Sequence, residues 1–431
     1  MESGHAAFRT LSRRGALAGL GMFPALGTTP AWAGMAGTDG PIFYASGPNA
    51  DRYGAAEGFP ARWQIHDPDA PRYRVGNFSH FDEIMPTRRI VRANTPWNFE
   101  RSPAEIIYRY KGARCSVTDY LARNPVTGLL IAKDDRIVCE YYQYGRTDRE
   151  RLASQSMAKS IIGLLIGVAV AEGAVRSVDD TAATYVPEFE GTEYGKTPIR
   201  DLLHMSSGVE FGEEAEHSRD LNQLWLDLMG GYLNSYAGAA RGTLGGIVRF
   251  NHRIAPPGTR FHYASIEADV LGVVLHRAVG RSASNYLQDK IWQPIGAEAD
   301  ASWLVDAQGS ELAHGFFNAV LRDYARLGRL LAHDGAWNDK QVIPAQWMLD
   351  ATTVRSSDSY LAPGKADPAF GYGYLLWLLP WAKRQFALFG SYGQRICVDP
   401  TSRLVLVQTA VDDGPELWSL WPAIVEQLGR A

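Results

Sequence analysis

Apolar and polar positions are distributed unevenly along this chain. From 34 to about 111 no period is sustained: Pro, Gly, Asp and Arg dominate, with scattered aromatics. That stretch reads as an extended wrapping segment with little regular structure, anchored by Phe81, Ile84 and Met85. Patterning begins near Cys115. The 116–123 segment reads as a short helix capped by Ser116 or Thr118. Two apolar runs, 128–132 and 136–144, flank Asp134-Asp135 and predict a β-hairpin. Residues 160–171 are apolar on almost every side, so their helix must be buried. A helix is expected over 197–205, with Pro198 near its start. The polar-aromatic stretch from about 210 to 253 reads as helical, and 265–279, 285–295 and 320–333 as further helices. Short strands follow at 386–389, 395–398 and 404–411, the last two joined by a turn at 399–402, and a helix at 416–428 closes the chain.

Strands at both ends around a helical middle imply an α/β (α+β) fold. An antiparallel sheet formed by both ends of the catalytic region would be flanked by helices, beside a mostly helical subdomain. The expected organisation is an export signal at 1–33, an irregular N-terminal extension at 34–111, and one catalytic domain at 112–431 with a helical insertion at about 180–260. The signal reading rests on Arg13-Arg14, the mildly apolar stretch 16–26, and Ala31-Trp32-Ala33 before Gly34. The apolar part is too short to span a bilayer, so no stable membrane insertion is expected. A periplasmic or secreted protein follows, cleaved after Ala33.

The chain has 431 residues, 46% of them hydrophobic, enough for a large core. A net charge of -4 without basic runs beyond the N-terminus argues against a nucleic-acid partner. Cys115, Cys139 and Cys397 are odd in number, so at least one is free, and buried apolar roles suit them. Neither they nor the histidines show metal-ligand spacing; no metal and no cofactor is expected. Oligomeric state is left open.

The chemistry concentrates at Ser156-Met157-Ala158-Lys159. The two polar residues are one turn apart on one face of the buried helix. A lysine in water titrates at about 10.4; to act as a neutral base near pH 7 it needs desolvation worth about 4 kcal/mol, within reach of burial. An amine of that kind against a hydroxyl can generate a nucleophile without histidine. A lone Ser-x-x-Lys is weak evidence, since about one is expected by chance in a chain this long. Two later features strengthen it: Phe261-His262-Tyr263-Ala264-Ser265 before a helix, and Gly390-Ser391-Tyr392-Gly393-Gln394 heading a terminal strand.

In this order the three motifs resemble the serine β-lactamase and penicillin-recognising superfamily, and within it the class C-related esterase and 6-aminohexanoate-dimer (nylon-oligomer) hydrolase branch. The resemblance runs from about Gly112 to the C-terminus and includes the 202–209 loop and Val398-Asp399-Pro400. It implies Ser156 as acylated nucleophile, Lys159 as its base and Tyr263 in the proton network. The oxyanion hole would come from the backbone amides of Ser156 and Gln394, and Ser265, Tyr392, Gly393 and Phe211 would contact substrate. The pattern also departs from the family. Ser265 replaces an asparagine, and Ser391-Tyr392-Gly393 replaces the Lys-Thr-Gly whose lysine holds a β-lactam carboxylate; Arg395 is the one substitute cation nearby. Phe211 stands where amide-cleaving members have a tyrosine. Small esters are therefore the expected substrates, with 6-aminohexanoate-type amides or β-lactams as alternatives. A silent binding or sensor module of the same fold is the alternative outside enzymes, and it would have no need of a buried lysine.

Overall fold

The computed structural model describes residues 40–59, 70–213, 219–230 and 240–429. The segment expected to be an export signal lies outside the described residues. The two ends of the remaining chain build one nine-stranded sheet. Its strands are β1 (Ile42–Phe43), β2 (Glu100–Arg101), β3 (Val126–Lys133), β4 (Arg136–Tyr142), β5 (Gly371–Tyr372), β6 (Trp377–Leu378), β7 (Phe386–Gly390), β8 (Gln394–Asp399) and β9 (Leu404–Ala410). Across the sheet the order is β1-β4-β3-β9-β8-β7-β6-β5, with β2 also on β4. The early hairpin and the terminal strands meet where β3 pairs with β9, Leu130 opposite Val407. All pairings are antiparallel except those of β1 and β2, which run parallel to β4.

The helices that matter for the site are α1 (Arg74–Ile84), α2 (Val117–Arg123), α3 (Met157–Ala171), α4 (Arg219–Met229), α5 (Gly242–Ile247), α6 (Ser265–Val279), α7 (Leu321–Ala332) and α8 (Leu417–Leu428). Side chains alternate across a strand. Leu130, Ala132, Ile396, Val398, Val405 and Val407 join the core that holds α3 and α7. Their neighbours Leu129, Ile131, Cys397, Leu404 and Leu406 join the core of α2 and α8. Because both faces are covered, the central strands read as unbroken apolar runs in the sequence.

Helix α3 is buried from Met157 to Ala169. It fits because two of its residues lack a side chain. A Cβ on Gly167 would fall 2.5 Å from the Trp347 ring, and one on Gly163 would fall 3.0 Å from the Tyr374 carbonyl. Interiors this closely packed leave no slack for the added atom. At α2, Ser116 accepts from the Asp119 amide while Asp119 accepts from the Ser116 amide, a reciprocal cap that fixes the start of the catalytic region.

Three expectations need correction. The extension expected to be irregular contains α1, which buries Val75, Phe78, Phe81 and Ile84. Residues 87–90 of the same extension enter a second sheet with 301–304, 317–319 and 152–153. Strands of two to four residues are too short to show period-two patterning. The helix expected at 285–295 is Ala283–Leu287 followed by a π-helical turn, Gln288–Trp292. In the stretch read as helical from about 210 to 253, the described residues form α4 and α5. Cys115, Cys139 and Cys397 are all free. Among the described residues no helix is long and apolar enough to cross a membrane.

Candidate active site

The site is organised by the turn that enters α3. Gln155 holds a left-handed conformation, φ 46°, which costs a non-glycine residue about 1–2 kcal/mol. The turn sets Ser156 at the N-cap of α3. Among the described residues the Ser156 amide has no backbone acceptor, as expected of the first amides of a helix. One turn on, Lys159 is 2% exposed. Its Nζ lies 2.8 Å from Ser156 Oγ and 2.7 Å from the His314 carbonyl oxygen. Among the described residues it has no carboxylate partner.

The carbonyl that holds the amine is itself fixed. His314 places its backbone N–H 3.1 Å and its Nδ1 2.8 Å from the two oxygens of Asp269, a buried residue of α6. Neither residue was singled out in the sequence. The contact to Lys159 is made by a backbone carbonyl, which any residue type supplies.

Tyr263 comes from the loop leading into α6. Its ring lies 5.1 Å from Lys159 Nζ and stacks on Trp377 at 5.7 Å. Ser265, expected to reach Lys159 or substrate, is occupied otherwise. Both its Oγ and its backbone amide donate to the two oxygens of Glu213, at 2.5 Å each. Glu213 is two residues past Phe211, which the family resemblance implies as a substrate contact. Phe211 is 1% exposed, packed edge-on against Phe250 at 5.0 Å. It belongs to the core, and only its carbonyl oxygen, 2.8 Å from His262 Nε2, steadies the Tyr263 loop. Phe211 is therefore withdrawn as a substrate contact. His204 is likewise buried, and desolvation pushes its imidazole down to about 4.

The third motif sits in a different register from that expected. A Cβ on Gly390 would lie 2.3 Å from the Ser154 carbonyl oxygen and 3.0 Å from Gln155 Cβ. Gly390, at the end of β7, is thus the glycine pressed against the turn that precedes Ser156. Gly393, at φ 87°, faces Asp412 and Ala410 instead. Gln394 pairs across the hairpin with Gly390, and its side-chain amide bonds both ways to Ala410. The residue following the contacting glycine is Ser391. The sequence offered two glycines three apart, and only the strand register decides between them. Tyr392, at φ 60°, turns its ring to Phe78 at 5.5 Å. Arg395 is not a spare cation. It is paired with Asp413, donates to the Gly390 and Gln394 carbonyls at 2.6 and 2.8 Å, and lies over the Phe389 ring at 4.5 Å.

A serine at a helix start and a buried lysine one turn along, between a mainly antiparallel sheet and its helices, define a serine hydrolase of the β-lactamase/transpeptidase-like fold. The chain belongs to the beta-lactamase family, whose pattern covers residues 117–426. It is 25% identical over 380 residues to the 6-aminohexanoate-dimer hydrolase of Paenarthrobacter ureafaciens, covering 86% of this chain and 93% of that protein. A candidate 6-aminohexanoate-dimer hydrolase from Bacillus anthracis has a similar structure, with TM-score 0.75 and 23% identity over 86% of this chain and 96% of the other. EstCE1, a hydrolase with promiscuous acyltransferase activity, shares the fold at TM-score 0.53 and 16% identity, over 71% of this chain and 94% of its own.

Helix α6 also carries Glu267, fully buried, which accepts from Ser207 Oγ at 2.6 Å. Burial outweighs that bond and pushes its carboxyl up to about 8, against about 4.3 in an unfolded chain. The folded protein then holds a proton that the unfolded one has released. This contribution to stability is complete below about pH 4 and is lost as pH rises through about 8. Glu267→Gln should remove that part of the decline. Urea denaturation at pH 5 and pH 8 should show the variant losing less stability between them than the parent. Equal losses in both would contradict the assignment.

Proposed function

We propose that the protein hydrolyses small, uncharged carboxylic esters through an acyl-enzyme at Ser156. The observation that carries this reading is the Lys159 amine, buried and 2.8 Å from the Ser156 hydroxyl. In this reading Ser156 Oγ attacks the ester carbonyl carbon and its proton passes to Lys159 Nζ, acting as the base, which keeps donating to the His314 carbonyl. The amides of Ser156 and Ser391 receive the developing oxyanion; Ser391 replaces Gln394 because Gly390 is the residue beside the nucleophile turn. Collapse of the tetrahedral intermediate expels the alkoxide, which takes a proton relayed by Lys159 and Tyr263. Water then attacks the acyl carbon, the same groups take up its proton, and the serine is released.

The site's charges support esters over β-lactams. Of the described cations beside the third motif, Arg395 is committed to Asp413 and two carbonyls, and Arg74 lies over the Tyr392 ring and donates to the Val411 carbonyl. Esters also demand less of the site than amides, because an alkoxide leaves more readily than an amine. The relative from Paenarthrobacter ureafaciens favours a second reading, cleavage of linear 6-aminohexanoate amides.

Assayed side by side, p-nitrophenyl esters should turn over faster than the linear 6-aminohexanoate dimer, and nitrocefin least. Ser156→Ala should reduce ester turnover by about a thousandfold or more, and Lys159→Met by about 10²–10⁴-fold. Unchanged turnover in both variants would defeat the proposal, and faster dimer than ester cleavage would favour the second reading.

We also infer export, which the paired arginines and the Ala31-Trp32-Ala33 segment support. Protein recovered outside the cytoplasm should begin at Gly34 on N-terminal sequencing. Full-length protein retained in the cytoplasm would contradict this.

A further inference from the structure

Helix α1 lies before the region that carries the three motifs, yet it grips the third of them. Arg74 and Phe78 are one turn apart on α1 and therefore share a face. The Arg74 guanidinium lies 4.0 Å from the centroid of the Tyr392 ring, and the Phe78 ring lies 5.5 Å from it. Arg74 Nη1 also donates to the Val411 carbonyl at 3.1 Å, at the end of β9. The preceding turn adds a second grip, because Tyr53 Oη donates to Asp412 Oδ2 at 2.6 Å. Tyr53 is in turn tied to α1, its carbonyl accepting from the Val75 amide at 3.2 Å.

These contacts converge on a short strained segment. Tyr392 and Gly393 are consecutive left-handed residues, φ 60° and 87°. For tyrosine the conformation costs about 1–2 kcal/mol, so the surroundings must hold it. The Asp412 carbonyl comes within 2.9 Å of where a Cβ on Gly393 would stand, and Gln408 Nε2 donates to the Gly393 carbonyl at 2.9 Å. The loop is thus braced on the β9 side by the sheet and at Tyr392 by the extension. Ser391 lies between Tyr392 and Gly390, the residue in contact with the nucleophile turn. Rotating the Tyr392 backbone out of its left-handed state would turn the Ser391–Tyr392 peptide, and through Ser391 shift the adjoining Gly390–Ser391 peptide that carries the Ser391 N–H.

We propose that α1 is a positioning element of the catalytic site: Arg74 and Phe78 clasp Tyr392 so that its left-handed backbone aims the Ser391 amide at the acyl carbonyl oxygen. The proposal rests on the acyl-enzyme reading above and adds a role for a segment that lies before the motifs. Its effect is on the oxyanion, which develops only as the acyl bond forms, and much less on ground-state binding.

The test is the pre-steady-state acylation burst with p-nitrophenyl acetate. Phe78→Ala and Arg74→Met should slow acylation by about 10–100-fold, while the substrate dissociation constant, read from the concentration dependence of the burst rate, changes by about twofold or less. A trifluoromethyl ketone, whose adduct carries the oxyanion, should lose affinity by a similar factor in both variants. Arg74→Lys keeps a cation over the ring and should retain most of the burst rate, which loss of folding alone would not produce. Acylation at the parent rate in Phe78→Ala and Arg74→Met overturns the proposal and leaves the acyl-enzyme reading standing. Equal losses in Arg74→Lys and Arg74→Met also overturn it. Absence of any acetyl adduct on the Ser156 peptide when the parent protein is acid-quenched during turnover overturns both the proposal and the reading.

Discussion

The placement of one amine governs this structure. Lys159 stands one turn into a helix buried along most of its length, and its Nζ hydrogen-bonds the Ser156 hydroxyl and the His314 carbonyl. Almost every feature around it serves that placement. Glycines at 163 and 167 let Tyr374 and Trp347 close over α3. Gln155 accepts an unfavourable backbone so that the serine falls at the helix start. Asp269 spends both carboxylate oxygens on His314, and so fixes the carbonyl that the amine addresses. An amine withdrawn from water without a carboxylate partner is an expensive thing to bury. That the fold maintains one against a hydroxyl is the physical reason to read the site as catalytic.

The rest of the site sorts by charge. Glu213 is tied to Ser265 and Arg395 to Asp413, so both charges are engaged within the protein. Tyr263, Trp377 and Tyr392 supply aromatic surface on either side. The extension contributes through α1, which joins the catalytic core by burying Phe78 and Phe81. What looks in the sequence like a wrapping segment is in part core.

Much of this was legible in the sequence, for identifiable reasons. Helices α3, α6, α7 and α8 announce themselves by long apolar patterns, and the terminal strands by apolar runs between turn residues. The Ser156–Lys159 contact follows from helical spacing alone. The failures have equally specific causes. Helix α1 is engulfed on most sides and has no polar face to set a period. The short strands of the second sheet carry too few residues to alternate. Phe211 and Glu213 are two residues apart in a loop, and no local pattern says which one turns inward. The choice between Gly390 and Gly393 depends on hairpin register, a tertiary fact. His314 acts through its backbone, for which residue identity carries no signal.

The most direct measurement is the intact mass and peptide map of the protein after reaction with an aryl fluorophosphonate, which traps the activated serine of a hydrolase. The account predicts a single adduct on the peptide containing Ser156, formed far more slowly when Lys159 is replaced by methionine. An adduct on another serine, or labelling of Ser156 at the same rate without Lys159, would contradict it.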